Sequence, residues 1–140
     1  MRLDPDEARA RLSANVHGVL CTLHPERGPD PVPVVYAVGD GGHLGMPVDS
    51  IKPKSAARLR REANLAADPR AALLIERWDP DDWSRLWWVR AQLRHVADPP
   101  RSVFDDLTDR LSRAVPQYAG RPFHRVLVCR IVGVSGWAAA

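Results

Sequence analysis

The sequence predicts a mainly β domain in which six antiparallel strands form a small, closed or partly closed barrel with short flanking helices. Three apolar segments between Val16 and Val48 follow one another through tight turns such as Gly39-Asp40-Gly41-Gly42, and short connections of this kind join antiparallel strands. Six segments have a strand pattern, whereas only two helical segments lie between them and one precedes them. This combination favours a small closed or partly closed barrel over alternating βαβ units, and periodicity alone does not choose among barrels.

Length and composition narrow the class further. The chain has 140 residues, which predicts one domain, residues 1–140. Its formal net charge of +3 comes without a nucleic-acid-binding motif, so no nucleic-acid partner is expected. No apolar run approaches the roughly 18 residues of a membrane helix, and no signal peptide is visible, which predicts a soluble cytoplasmic protein without a membrane partner. Cys21 and Cys129 lack C-x-x-C spacing and are expected to be thiols.

The first predicted element is a short helix that ends near Asn15. Asp4 is a suitable N-cap, Pro5 fits the first helical position, and Glu7 follows the cap by three residues. The strands come next, each bounded by turn-forming residues. They are predicted at Val16–His24, Pro31–Val38, His43–Val48, Arg70–Trp78, Arg85–Val96 and His124–Trp137.

Two further helices are predicted from helical spacing. The first ends at Asp68-Pro69, and the spacing of Leu59, Ala63 and Ala66 places these residues on one face, which we expect to be the packed face. The second runs from about Pro100 to Ala114, and its apolar stripe consists of Val103, Leu107 and Leu111.

The fifth strand has an informative alternation. Successive side chains of a strand point to opposite faces, so one set should face the core and the other should face away from it. The expected inward set is Trp87, Val89, Ala91 and Leu93, and the outward set is Trp88, Arg90, Gln92 and Arg94.

The basic stretch Ser50-Ile51-Lys52-Pro53-Lys54-Ser55 precedes the second helix and is the most unusual charge pattern of the chain. Lys52, Lys54 and Ser55 are expected at the start of that helix, and Arg58 follows one turn later. A helix N-terminus offers free N–H groups and a partial positive charge, so this stretch could bind an anion. Composition alone leaves a solvated helix face as the alternative.

These segments resemble a known family. The succession of PVPVVYAV, a hairpin, KPK, a helix and NLAADPRAALLIERW looks like the pyridoxamine-5′-phosphate-oxidase-like, flavin-binding split barrels. The combination of KPKSAARLRREANLAADPR with DDWSRLWWVRA resembles a subgroup of mostly actinobacterial enzymes that depend on the deazaflavin coenzyme F420. The resemblance covers roughly Val16 to Val96.

The resemblance implies a phosphate site and a wall for the cofactor ring. The phosphate-binding lysine of the family corresponds to Lys54, and Arg58, Arg60 and Arg61 would form a basic rim for the oligoglutamate tail of F420. Where many relatives have a threonine, this chain reads GMPV, and Ser50 is the candidate replacement for that hydroxyl. The full set of implied cofactor-binding residues is Val34, Val35, Tyr36, Met46, Pro47, Val48, Ser50, Lys52, Lys54, Ser55, Arg58 and Trp88.

The function expected from this resemblance is an F420-dependent oxidoreductase that transfers hydride between the deazaflavin and a small unsaturated organic substrate. A homodimer with the cofactor at the subunit interface is also implied. The alternatives are an FMN-dependent oxidase or reductase, a non-catalytic cofactor-binding protein, and a basic interaction module with an empty barrel. No catalytic side chain and no metal ligand set is predicted, since the histidines lack metal-ligand spacing and Asp79, Asp81 and Asp82 are typical of a turn.

Overall fold

A computed structural model describes residues 1–49, 59–120 and 123–140. Its helices are α1 (Pro5–Ala14), α2 (Arg60–Ala67) and α3 (Arg101–Ala114). Its strands are β1 (His17–His24), β2 (Gly28–Val35), β3 (Ala37–Val38), β4 (His43–Asp49), β5 (Arg70–Arg77), β6 (Trp87–His95) and β7 (Phe123–Ala138). Short 3₁₀ turns at Trp83–Arg85 and Pro116–Tyr118 precede β6 and follow α3.

The strands form one antiparallel sheet in the order β2-β1-β5-β6-β7-β4-β3. Its two edge strands, β2 and β3, are consecutive in the chain and are separated only by Tyr36. The Cα atoms of Val35 and Ala37 therefore lie within about 7 Å of each other. The sheet must curl until its edges meet, which makes a partly closed barrel with a seam between β2 and the β3–β4 hairpin.

The described residues contain seven strands where six were predicted, because the run PVPVVYAV is divided between β2 and β3. Its first part belongs to β2, and it pairs with β1 from Pro31↔Cys21 to Val35↔His17. After Tyr36, the chain pairs with β4 instead, through Ala37↔Gly45. The run is apolar throughout, so its composition carries no sign of the transfer from one edge of the sheet to the other.

The core fills the inside of the curled sheet. Leu20, Leu73, Val89 and Ala91 from neighbouring strands are buried there, together with Leu12 of α1. A second cluster lies outside the barrel, where Leu107 and Leu111 of α3 pack against β3 and β7. The predicted stripe on α3 is therefore confirmed, as is the predicted start of α1, where the Asp4 carboxylate accepts a hydrogen bond of 2.8 Å from the Asp6 N–H.

The alternation predicted for β6 is also confirmed. Val89, Ala91 and Leu93 are buried, whereas Arg90, Gln92 and Arg94 are exposed. Trp87 packs against the core, as its place in the inward set requires. Because β6 pairs with β5, the outward side chains of the two strands lie next to each other on the outer face of the sheet.

The packed face of α2 differs from the prediction. Leu59, Ala63 and Ala66 are exposed, and the buried residues of the helix are Glu62, Asn64 and Leu65. The spacing of apolar residues indicated the wrong packed face of α2, because two of its three buried residues are polar. Both of these polar residues are held by hydrogen bonds.

The two cysteines are free thiols, and Cys129 is completely buried in the core. Burial raises the pKa of the Cys129 thiol to about 12. None of the helices that the structure describes is long and apolar enough to span a membrane.

Candidate functional site

The seam of the barrel contains the residues predicted as the wall of the cofactor ring. Strand β2 contacts β4 across this seam. Ala37 pairs with Gly45 in antiparallel register. The residues just before Ala37 therefore lie opposite the residues just after Gly45. The structure thus brings together six residues that come from separate segments of the sequence, namely Val34, Val35, Tyr36, Met46, Pro47 and Val48.

Most of these side chains point into the barrel. Val34, Met46 and Val48 are buried in the core, and Pro47 is buried where β4 pairs with β7. Val35 is only partly buried and packs against the cluster beneath α3. A flat ligand at the seam would accordingly meet strand backbone and partly buried apolar groups more than a set of open side chains.

Tyr36 is the clearest departure from the predicted wall. Its side chain is 0% exposed, and its hydroxyl donates a hydrogen bond of 2.6 Å to the carbonyl oxygen of Leu12 in α1. Burial raises the pKa of the Tyr36 phenol far above its ordinary value. A buried ring with its hydroxyl committed to α1 holds that helix against the barrel and offers no face for stacking in this chain.

Three arginines lie where β4 ends, α2 begins and β7 begins, and the one on β7 is paired with a carboxylate. We call this region the basic joint and define it by Arg60, Arg61 and Arg125. The Arg61 guanidinium donates a hydrogen bond of 3.4 Å to the Pro47 carbonyl oxygen of β4. Arg125 lies opposite Val48 in the β4–β7 register, so it is next to the end of β4.

An ion pair between Arg125 of β7 and Glu62 of α2 connects the elements of the basic joint. The Arg125 guanidinium donates two hydrogen bonds of 3.0 Å to the two carboxylate oxygens of Glu62. Glu62 also accepts the N–H of Leu59 at 3.0 Å, at the start of α2. A bidentate pair of this kind fixes both position and orientation, so it holds the beginning of the helix against the beginning of β7.

A second polar contact holds the other side of α2. The buried amide of Asn64 donates hydrogen bonds of 2.9 Å to the Thr22 hydroxyl and 3.0 Å to an Asp30 carboxylate oxygen. The hydrogen bond from Asn64 lowers the pKa of the Asp30 carboxyl, and the positive charges of Arg27 and Arg60 lower it further. Helix α2 is thus fixed to β1 and β2 as well as to β7.

The predicted phosphate-binding residues fall on the segment that this joint flanks. Ser50, Lys52, Lys54, Ser55 and Arg58 lie outside the described residues. Their neighbours in sequence are Asp49, where β4 ends, and Leu59, the N-cap of α2. The segment therefore begins and ends at the basic joint. Sequence reasoning missed Arg125 and Glu62, because neither carries a local motif that relates it to the other.

Trp88 lies on the outer face of the sheet, as predicted, and is half buried. The guanidinium of Arg90 lies over its ring at 5.3 Å from the centroid. Glu76 of β5 and Trp137 of β7 are its partners in the neighbouring strands. Trp88 is therefore separated from the interior seam by the thickness of the sheet.

Other titratable groups have structural explanations. Asp79 accepts the N–H groups of Asp81 and Asp82, and Asp82 accepts that of Ser84, so these carboxylates shape the predicted turn. His95 is half buried, and its burial lowers the pKa of the imidazole. Within residues 1–49, 59–120 and 123–140, no group of three or more His, Cys, Asp or Glu residues is placed to hold a metal ion.

Solved structures share this fold over nearly the whole chain. A FAD-binding protein from Mesorhizobium loti aligns with a TM-score of 0.66 and 20% identity, covering 97% of this chain and 93% of its own. A candidate pyridoxamine 5′-phosphate oxidase from Listeria innocua aligns with a TM-score of 0.64 and 17% identity, covering 93% and 94%. A haem-binding protein from Mycobacterium smegmatis gives 0.69 and 19%, covering 96% of this chain and 57% of its own.

At these identities the likeness shows the fold, and it confirms the predicted resemblance to the pyridoxamine-5′-phosphate-oxidase-like split barrels at that level. No protein-family model matches the chain, and no curated protein matches it. The names of the three structures refer to FAD, haem and pyridoxamine 5′-phosphate, and none refers to coenzyme F420.

Proposed function

We propose that this protein binds a flavin at the seam and the basic joint and acts as an oxidoreductase on a small unsaturated organic molecule. The observation that carries the proposal is the basic joint itself, where Arg60, Arg61 and Arg125 gather at the two ends of the lysine-containing segment. A flavin mononucleotide has one apolar tricyclic ring and one phosphate, and the seam and the joint offer a region suited to each.

The phosphate is assigned to Lys54, with Lys52, Ser50, Ser55 and Arg58 around it. A phosphate is costly to hold without cationic partners, and Arg60 and Arg61 beside this segment add positive charge, whereas the charge of Arg125 is compensated by Glu62. Because Glu62 and Asn64 fix α2 on both sides, the far end of the segment is anchored to the barrel. Such anchoring reduces the conformational entropy that the protein loses when it binds the phosphate.

The ring is assigned to the seam. Flat cofactors gain mainly from apolar contact, with a few polar groups that fix orientation. Val35 and Pro47 lie at the seam beside the strand edges, while Val34, Met46 and Val48 support them from the core. Tyr36 contributes by holding α1 in place, and the residues present fit a flavin on these terms.

Hydride transfer would be the chemistry of the bound cofactor. The protein residues would bind the phosphate, orient the ring and exclude water from its reactive face. This division of roles requires no side-chain nucleophile. The catalytic contribution of the chain would then be positioning.

Coenzyme F420 is the second candidate cofactor. Two features favour it. One is the sequence resemblance to the F420-dependent subgroup, and the other is the reading GMPV near the end of the third predicted strand, where many relatives have a threonine. Arg60 and Arg61 would then donate hydrogen bonds to the carboxylates of its tail. The flavin is the first candidate because the structural neighbours reported above include a FAD-binding protein.

We also propose a homodimer that pairs through the outer face of the sheet. Val19 of β1 and Leu74 of β5 are direct partners in the register and are 38% and 41% exposed. Cys21 and Ala72 are the next outward pair, and both are only partly buried. Trp88 lies on the same outer face, so a partner on this surface would cover it and could bring it to the edge of the partner's cofactor site.

A titration with FMN, FAD and coenzyme F420, followed by fluorescence quenching, tests the proposal. We expect FMN or FAD to bind and Lys54→Ala to weaken that binding by about tenfold or more, because a charge-assisted contact is lost. Lys52→Ala should have a smaller effect, and Arg113→Ala, which removes an exposed charge from α3, should have none. Binding of F420 alone would favour the second candidate. Failure of all three to bind would reject the function.

Turnover is measured separately, because binding alone would also fit a cofactor carrier. The reduced cofactor is mixed with a panel of quinones and enones in a stopped-flow instrument. An oxidoreductase should oxidise the cofactor faster with at least one acceptor than the free cofactor reacts in solution. Equal rates with and without protein for every acceptor would instead support a carrier.

A further inference from the structure

A cleft lies at the other end of the barrel from the basic joint. It has a volume of about 310 Å³, and its lining includes Arg11 of α1 and Arg77 at the end of β5. Ser84 and Arg85 of the 3₁₀ turn before β6 also line it, as do Leu86 and Trp87 where β6 begins. The last residues of β7 complete it, with Ala138 paired to Trp87. Residues from four elements therefore converge on one small space, and three of them are arginines.

Two of these arginines are oriented by carboxylates that do not line the cleft. Glu7 accepts the Nε–H of Arg11 at 3.0 Å. Asp82 lies 3.5 Å from Nε of Arg85, and Asp79 lies 3.9 Å from its Nη1. Each guanidinium has five N–H groups, so donors remain on both. Arg77 makes no ion pair or side-chain hydrogen bond with any residue the structure describes.

The cleft also has an aromatic side. The Arg11 guanidinium lies over the Trp87 ring at 5.0 Å from its centroid, and Trp87 is only partly buried. Guanidinium groups bind carboxylate and phosphate through paired N–H donors, and a flat apolar group can lie against Leu86 and the edge of the indole. The volume is at the small end of the range for ligand sites, roughly 300 to 1,000 Å³.

From this arrangement we propose that the cleft binds a small oxyanion that carries a flat apolar group, such as an aromatic carboxylate or an aromatic phosphate ester. The charged end lies between Arg77 and Arg85, and the apolar end lies beside Trp87. This site is distinct from the proposed cofactor site within one chain, because Ala138 ends the strand whose beginning carries Arg125.

Two-dimensional NMR of the ¹⁵N-labelled full chain tests the proposal, with the indole N–H of Trp87 as the reporter. The Trp87→Phe spectrum identifies its signal by loss of one peak. The probes are benzoate, phenyl phosphate and, as the neutral control, benzyl alcohol. We expect at least one anion to shift the Trp87 signal in a saturable way, and which anion does so distinguishes a carboxylate site from a phosphate site.

Arg77→Ala should weaken that binding by about tenfold, because it removes a cation of the cleft that has no ion-pair partner among the described residues. Arg77→Lys should lose less, since the charge is retained, and Arg113→Ala on α3 is the control for net charge. The cleft site is refuted if neither anion shifts Trp87, if benzyl alcohol shifts it equally, or if Arg77→Ala binds as the wild type does. Lys54→Ala should leave this binding unchanged, so failure here is distinguishable from failure of the proposed cofactor site.

Discussion

Tyr36 joins three features that the sequence shows only separately. It is the one residue between the two edge strands, its ring is part of the core, and its hydroxyl bonds to α1. The residue type suggested a stacking surface, and only the curl of the sheet reveals that the side chain points inward. Buried phenols need a partner for the hydroxyl, and here Leu12 provides it.

Replacement of Tyr36 by phenylalanine should therefore destabilise the protein by about 1 kcal/mol, the net contribution of one buried hydrogen bond. Tyr36→Ala should cost about 3–5 kcal/mol, because it also leaves a cavity in the core. Urea unfolding followed by circular dichroism measures both values. Equal stability of Tyr36→Phe and the wild type would show that the contact with α1 contributes nothing.

His95 predicts a pH dependence of stability. Burial lowers the pKa of the His95 imidazole in the folded protein below its ordinary value of 6.5. The sign follows from linkage: above pH 6.5 the imidazole is neutral in both states, and as the pH falls below 6.5 the unfolded chain takes up a proton that the folded chain resists. Stability associated with His95 is thus present above pH 6.5 and is lost as the pH falls through the folded-state value.

The measurement compares urea midpoints of the wild type and His95→Gln from pH 7.5 down to pH 5, above most carboxyl titrations. We expect the midpoint of the wild type to fall more steeply over this range than that of the variant. A slope that is the same for both proteins would mean that His95 does not couple folding to protonation.

At the scale of elements, α2 shows where hydrophobic pattern fails as a guide. Its exposed face contains Leu59 and two alanines, and its buried face contains Glu62 and Asn64. The polar face is buried because partners from β1, β2 and β7 satisfy its hydrogen bonds. Those partners are distant in sequence, so spacing within the helix could not indicate which face packs.

Breaking the pair between Glu62 and Arg125 should loosen α2 from β7. Glu62 is 9% exposed, but the Arg125 side chain is 43% exposed, so solvent screening reduces the effect of its loss. We expect Arg125→Ala to lower the free energy of unfolding by about 1–2 kcal/mol. Arg101→Ala is the matched control, since its pair with Asp105 is far more exposed, and its effect should stay below about 0.5 kcal/mol.

The same substitution has a second expected consequence under the proposed function. If the joint anchors the lysine segment, Arg125→Ala should also weaken FMN binding, whereas Arg101→Ala should not. Fluorescence titration at a temperature where both variants remain folded measures this. Wild-type affinity in Arg125→Ala would mean that the ion pair supports the helix but not the cofactor site.

At the scale of the whole molecule, most of the fold could be predicted from the sequence. Turn residues and alternation located the strands, and helical spacing located α3, because these signals are local. Two features could not be predicted from the sequence. One is the change of pairing partner at Tyr36, and the other is the pairing of Val48 with Arg125. Both depend on how the sheet curls and on which distant strands pair. The ring-wall set was predicted as neighbours, and the structure does gather it at the seam, but with most side chains turned into the core.

Assembly is the next prediction at this scale. If the outer face pairs two chains, Val19→Arg or Leu74→Arg should convert a dimer into a monomer, because each places a charge in an apolar contact. Trp83→Arg is the control, since that residue is exposed in the turn between β5 and β6. Light scattering should give twice the chain mass for the wild type and the control. A wild-type monomer that binds the cofactor tightly would exclude a shared site.

The central claim is that the segment beside the basic joint holds the phosphate of a flavin, and a comparison of FMN with riboflavin tests it most directly. The two ligands share the ring and differ by the phosphate. The wild type should bind FMN more tightly than riboflavin by about tenfold or more, and Lys54→Ala should lose most of this preference while its riboflavin affinity stays unchanged. Equal affinities for FMN and riboflavin in the wild type, or a preference that survives in Lys54→Ala, would contradict the account.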